Sequence, residues 1–273
     1  MAAVLAARDG RFGSVLGILK LYGASGATAA RYALRAWPIA FSLVAYVFIF
    51  MVANRLLEPL GMVGGMLLGL VLAACFSSYI QLISQAVMGT RVKLSDFGAS
   101  FWVRFWDVVS VLFAFWVIDF VVQQVLAPAA GAKAPIVSAL VGLAMSVFFN
   151  PVPELLYQGQ SRSFYLLADA ARFISKFGLE WLIPNVLFAA ALLAPLGLLR
   201  APAGQVVLTI SSILAPNNDG MGLFAVFSRA PWWLQLPMLL FVHWLMIFRG
   251  VLFDGLTHGG ARRHAVRSKW GGR

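Results

Sequence analysis

The chain has 273 residues, of which 61% are hydrophobic and only 11% are charged. Soluble domains carry about 25% charged residues, so this composition excludes an ordinary soluble domain and indicates a membrane protein. The formal net charge is +11, yet the basic residues form short clusters beside apolar stretches and no broad basic face. Such clusters set orientation and contact anionic lipid, and we therefore expect no nucleic-acid partner.

Six stretches are long and apolar enough to cross a hydrocarbon core of about 30 Å, which takes about 20 residues each. We place them near residues 37–53, 60–78, 106–126, 135–149, 181–199 and 233–251. The second stretch is expected to continue as a helix toward Val87. The sequence therefore predicts an all-α, polytopic integral membrane protein with six transmembrane helices.

The distribution of basic residues predicts the orientation of these spans. With six spans, both chain ends lie on one side of the membrane. Of the 21 Lys and Arg residues, that arrangement leaves only these on the other side: Arg55, Lys133, Arg200 and Arg229. Because basic residues concentrate in cytoplasmic loops, both termini are expected in the cytoplasm, with the chain in the bacterial inner membrane.

An amphipathic stretch precedes each odd-numbered span, and its polar residues fall within an arc of roughly 80° on a helix. A helix that is otherwise apolar suits the boundary between headgroups and acyl chains, with its polar stripe facing water. We therefore predict three interfacial helices. Their stripes comprise Lys20, Thr28, Arg31 and Arg35, then Asp96, Ser100, Arg104 and Asp107, and finally Arg162, Asp169, Arg172, Lys176 and Glu180.

These elements predict a single membrane domain over residues 1–256, made of three units of about 14–88, 94–157 and 161–256. Each unit would contain a surface helix, a span, an outer turn and a second span. The alternative is that interfacial helices accompany any six-span protein without a repeat. The connection 201–231 is open between a re-entrant segment and a surface flap, and 257–273 is predicted to be a flexible basic tail.

A few polar residues fall inside the predicted spans, where they are costly and often functional. Asp119 and Gln123 share one face of the third span, and His243 lies in the sixth. Ser77, Gln81 and Gln85 form a stripe on the second helix. They are candidates for a polar path through the membrane. The alternative is that they make hydrogen bonds between packed helices.

The fourth span ends in Asn150-Pro151-Val152-Pro153-Glu154. A helix broken in this way can coordinate ions or substrates, or it can simply end and lead into the next surface helix. No spacing of residues typical of catalysis or metal binding is present. We therefore expect no cofactor, no metal and no enzymatic activity.

The proline-rich end of span four, the following Leu155-Leu156-Tyr157, and the run from Phe173-Ile174 through Trp181 to Pro184 carry a loose resemblance. They resemble a group of uncharacterised bacterial six-span membrane proteins. They are also similar to the membrane domain fused to some glycerophosphodiester phosphodiesterases. The phosphodiesterase domain itself has no counterpart here, so the resemblance implies the membrane fold and no hydrolase activity.

Two hypotheses for function follow. The first is a non-enzymatic membrane module that binds anionic lipid or a protein partner, including a second copy, through basic positions on its surface helices. Those positions are Arg31, Arg35, Arg104, Arg172 and Lys176. The second hypothesis is a small transporter or channel that uses the polar path near Asp119 and His243.

Overall fold

The computed structural model describes residues 15–93, 95–158, 165–197 and 230–270, with the backbone alone for 258–270. Within these ranges the chain forms helices and turns. The principal helices are α1 (Val15–Arg35), α2 (Pro38–Leu57), α3 (Gly61–Val87), α4 (Ser95–Val103), α5 (Phe105–Val121), α6 (Ala134–Phe148), α7 (Val152–Gln158), α8 (Tyr165–Leu193) and α9 (Trp232–Trp270).

Five helical segments of the described chain are long and apolar enough to cross a membrane. They are Pro38–Val87, Phe105–Lys133, Ile136–Gln158, Tyr165–Leu193 and Trp232–Thr257. Large hydrophobic side chains are exposed along several of them, including Phe48 and Met62. An apolar surface of this kind requires lipid around it. The chain is therefore a multi-pass, all-helical membrane protein.

The first of these segments contains 50 residues and consists of two helices. Helix α2 ends in a short turn, Glu58–Leu60, after which α3 begins and packs against α2. The turn closes at Gly61, whose φ is 54° and ψ is −125°. A second turn, between α5 and α6, closes at Gly131 with a φ of 54° and a ψ of −123°. A proline precedes each glycine, at Pro59 and Pro128.

A substitution at one of these turns tests the backbone requirement. Side chains with a Cβ atom are strained at this φ and ψ, so Gly131→Ala is expected to lower the free energy of unfolding by about 1–2 kcal/mol. Thermal unfolding in detergent measures the change. Gly69→Ala is the matched control, because no atom lies within 4 Å of the Cβ that it adds and alanine favours a helix interior. An unchanged stability of Gly131→Ala would contradict the turn geometry.

Two junctions between a preceding helix and an apolar helix have the same backbone geometry. Arg104, between α4 and α5, has a φ of −125° and a ψ of 15°. Phe177, inside α8, has a φ of −128° and a ψ of 18°. The sequence predicted that a surface helix would give way to a span near both positions. At the first junction, α1 and α2 are separated by a turn at Ala36 and Trp37.

The helices close into a ring. Helix α3 packs against α4, α7 packs against α8, and α9 packs against α1, so the last part of the chain contacts the first. Helices α3, α7 and α9 also contact one another. Their shared core contains the largest fully buried side chains, among them Trp181, Tyr157, Phe248 and Phe253. The ring places three helices that are distant in sequence, α3, α7 and α9, around one buried centre.

Two helix ends can be compared with the predictions. Helix α3 ends at Val87, where the second helix was expected to end. Helix α9 continues to Trp270, and the flexibility expected of 257–273 stays a prediction. The Ala and Arg residues of 261–267 favour helix, and no proline interrupts them. The connection 201–231 lies almost entirely outside the described residues, so its nature stays a prediction.

Candidate functional site

The helix break between α6 and α7 brings the backbone carbonyl of Asn150 to the buried centre. Helix α6 ends at Phe148 and α7 begins at Val152. Pro151 and Pro153 have no N–H to donate, so the helical hydrogen-bond ladder is interrupted here. The carbonyl oxygen of Asn150 is taken up by Arg249 of α9, whose Nη2 donates to it at 2.6 Å.

Arg249 also makes a two-pronged ion pair with Glu154. Its Nε donates to Oε1 at 2.8 Å, and its Nη2 donates to Oε2 at 2.9 Å. Glu154 is 0% exposed and Arg249 is 8% exposed. Parallel bonds of this kind are the strong form of the Arg–carboxylate contact. A charge removed from water survives in a protein only when it is paired in this way.

Trp181 of α8 completes the arrangement. Its indole Nε1 donates to Oδ1 of Asn150 at 2.7 Å, and the guanidinium carbon of Arg249 lies 5.2 Å from the centre of its ring. That distance is within the range of a cation–π contact. We call Asn150, Glu154, Trp181 and Arg249 the ion-pair cluster. It joins α7, α8 and α9 at the centre of the ring.

A proline inside α8 also removes a helical hydrogen bond. Pro184 cannot donate to the carbonyl of Glu180, four residues earlier. The hydroxyl of Tyr22, in α1, donates to that oxygen at 2.8 Å. Partial burial, together with the charge of Glu180, raises the pKa of Tyr22 to about 12. The phenol therefore stays a donor at neutral pH and fixes α1 against α8.

Arg104 makes the corresponding connection between α3 and α7. Its backbone N–H donates to Oγ of Ser77 at 3.2 Å, and its Nη2 donates to the carbonyl of Tyr157 at 3.1 Å. Ser84 donates to the same carbonyl at 3.4 Å. Arg104 is thus half-buried and directed inward, although the sequence predicted that it faces lipid.

The predicted polar path divides between the inside and the outside of the molecule. His243 is 2% exposed, and its ring lies beside the backbone of Ala33. Asp119 on α5 is exposed, and so is Gln123, two residues beyond the end of α5. Ser77 is buried and accepts a hydrogen bond, whereas Gln81 and Gln85 are half-buried. The structure does not bring these six residues into one site, and a transport path through them stays a prediction.

The remaining basic positions of the predicted lipid-facing set are exposed. Arg31 and Arg35 lie on α1, and Arg172 and Lys176 lie on the first part of α8. Arg172 pairs with Asp169 at 3.2 Å. In the described part of the chain, no three His, Cys, Asp or Glu side chains are grouped as metal ligands.

Comparisons with known proteins add no functional assignment. The chain matches no protein-family description, no curated protein and no solved structure.

Proposed function

We propose that this chain is a non-enzymatic membrane module that binds anionic lipid headgroups along the surface helices of its cytoplasmic side. It would cross the bacterial inner membrane six times, with both termini in the cytoplasm. The 50-residue segment Pro38–Val87 supports the count of six, because α2 and α3 are each long enough to span. The small number of basic residues on the outer side supports the orientation.

The observation that supports lipid binding best is the combination of exposed basic residues and exposed tryptophans beside the helix junctions. Trp102 and Trp106, on either side of the inward-directed Arg104, are 71% and 72% exposed. Trp37, two residues after the exposed Arg35, is also exposed. Tryptophan prefers the headgroup level of a bilayer, and each Lys or Arg near an anionic surface adds about 1 kcal/mol of attraction.

The same helices are held firmly by the protein on their other face. Buried in the core are Ala29 of α1, Ala36 in the turn that follows α1, and Leu166 and Ala170 of α8. The basic positions therefore have a fixed place relative to the spans. A rigid basic surface loses less conformational entropy on binding than a mobile one, which favours a headgroup site over a loose electrostatic attraction.

The test is a matched pair of charge-removing variants in nanodiscs. R172Q/K176Q is expected to lower the preference for phosphatidylglycerol over phosphatidylcholine roughly tenfold or more, because two surface charges are lost. R55Q/K133Q removes two exposed charges from the opposite turns and is expected to change the preference less. Native mass spectrometry of retained lipids gives the readout.

Equal losses in the two double variants would contradict a site on the surface helices and indicate bulk charge alone. A second outcome is that R172Q/K176Q leaves the preference for phosphatidylglycerol unchanged but no longer co-purifies with an acidic protein. That result would show that these residues bind a protein partner and not lipid.

A further inference from the structure

Helix α5 presents an exposed apolar face that contains a carboxyl group. Phe113, Trp116 and Phe120 are exposed and stacked, with ring centres 5.8 and 5.6 Å apart. Asp119 lies among them and is exposed as well. No described residue makes a hydrogen bond or ion pair with its side chain. In a multi-pass membrane protein, such a face is surrounded by acyl chains or by another protein.

The depth of Asp119 makes contact with acyl chains unfavourable. The chain is continuously helical from Phe105 to Ala130. At 1.5 Å per residue, about 20 Å of helix precedes Asp119 and about 16 Å follows it. A hydrocarbon core of about 30 Å therefore includes this position well inside both boundaries. Acidic side chains at such a depth face a bundle interior, water or a partner, and here the bundle interior is on the other side of the helix.

Gln123, one helical turn further along the chain, can supply the hydrogen-bond donor that the carboxyl group of Asp119 lacks. Gln123 lies four residues after Asp119, so both side chains are on the same face, and Gln123 is also exposed. Its amide can donate two hydrogen bonds, and the carboxyl group can accept them. The helix widens into a π-turn at Val122–Leu126, a local feature that often accompanies functional positions.

We propose that α5 is the contact surface for a second copy of this chain, in which Asp119 of each copy accepts a hydrogen bond from Gln123 of the other. A two-fold axis brings residue i of one subunit to residue j of the other and j to i. Under this two-fold rotation, Asp119 of one copy meets Gln123 of the other, and Gln123 of the first copy meets Asp119 of the other. Two copies in one membrane also have α5 at the same depth and in the same direction.

A foreign helix with a Lys or Arg residue is the competing occupant. Such a residue would satisfy Asp119, but it would leave the amide of Gln123 in hydrocarbon without an acceptor. The pairing of two copies satisfies both groups at once. Hydrogen bonds of this kind hold transmembrane helices together, and the stacked aromatic rings beside them add packing area.

The experiment uses the full chain in native membranes, with Cys75→Ala as the background because Cys75 is the single cysteine. Trp116→Cys and Phe120→Cys are expected to form disulfide-linked dimers on mild oxidation. Leu140→Cys in α6 and Leu187→Cys in α8 are equally exposed and are expected to remain monomeric. Adding D119L/Q123L to the α5 cysteine variants should lower the dimerisation constant at least about tenfold. D119N retains a side-chain oxygen that can accept a hydrogen bond from Gln123 and is expected to lower the constant less.

Three outcomes would overturn the proposal. They are equal crosslinking at all four positions, crosslinking that is unaffected by D119L/Q123L, and α5 adducts whose mass matches a different protein. Because the changed side chains are exposed, D119L/Q123L is expected to keep the thermal stability of the monomer, so loss of dimer is distinguishable from misfolding.

Discussion

Replacing Glu154 by Ala is expected to lower the free energy of unfolding by about 3–5 kcal/mol, because it leaves the charge of Arg249 buried without its partner. Arg249 would keep only the Asn150 carbonyl and the Trp181 ring. Unfolding in mixed detergent micelles, followed by tryptophan fluorescence, measures the loss.

Two controls separate the buried pair from charge in general. The double variant E154M/R249M removes both charges and is expected to recover most of the stability, since apolar groups can replace a buried ion pair at little cost. D169N breaks an exposed pair, in which the side chain of Arg172 is 74% exposed, and is expected to cost less than about 1 kcal/mol. Additive losses in E154M and R249M would contradict the geometry of the ion-pair cluster.

The second large effect is expected at Gly250. A Cβ atom added there would overlap the hydroxyl oxygen of Tyr157 and a methyl group of Val87, at the centre where α3, α7 and α9 meet. Overpacking of a buried site typically costs about 1–3 kcal/mol. We expect Gly250→Ala to lie near the upper end, about 2–3 kcal/mol, because the Tyr157 side chain is fully buried. Thermal unfolding in detergent gives the measurement.

Tyr157→Phe provides the rescue. The hydroxyl of Tyr157 has no hydrogen-bond partner among the described residues, so its removal is expected to be neutral or stabilising. It also removes the atom nearest to the added Cβ. The double variant G250A/Y157F should therefore be more stable than G250A alone. If G250A is as stable as the unchanged protein, the three helices do not meet as closely as the structure indicates.

Hydropathy and charge predicted the long apolar helices of the described chain and several of their junctions, but not the extension of α9 to Trp270. The break after Asn150 follows from its two prolines, and the change near Phe177 follows from the transition between an amphipathic and an apolar pattern. The turns could also have been predicted from a signal in the sequence. Proline followed by glycine within two or three residues occurs at Pro59, Pro128 and Pro195, and each of these glycines has a positive φ.

The ion-pair cluster could not be predicted in the same way. Glu154 and Arg249 are 95 residues apart, and their contact depends on which helices are neighbours in the ring. Arg249 was counted only as an orientation charge, although an arginine inside a long apolar helix is itself a reason to look for a buried partner. The direction of Asp119 was not predictable either, because both faces of α5 are apolar and periodicity does not distinguish the lipid side.

Some backbone angles recur between the predicted units. Those at Arg104 and Phe177 match between the second and third units, and those at Gly61 and Gly131 match between the first and second, whereas a repeat of all three units stays a prediction. The packing of α9 on α1 supports their closure into a ring.

Three pairs of spans would leave every surface helix on one side of the membrane, and both proposals depend on that topology. Single cysteines in the Cys75→Ala background, at Thr90, Lys176, Glu58 and Lys133, test it with a membrane-impermeant thiol reagent. We expect Glu58→Cys and Lys133→Cys to react in intact cells, and Thr90→Cys and Lys176→Cys to react only after the membrane is opened. Reaction of Thr90→Cys in intact cells, or protection of Glu58→Cys, would contradict the six-span topology.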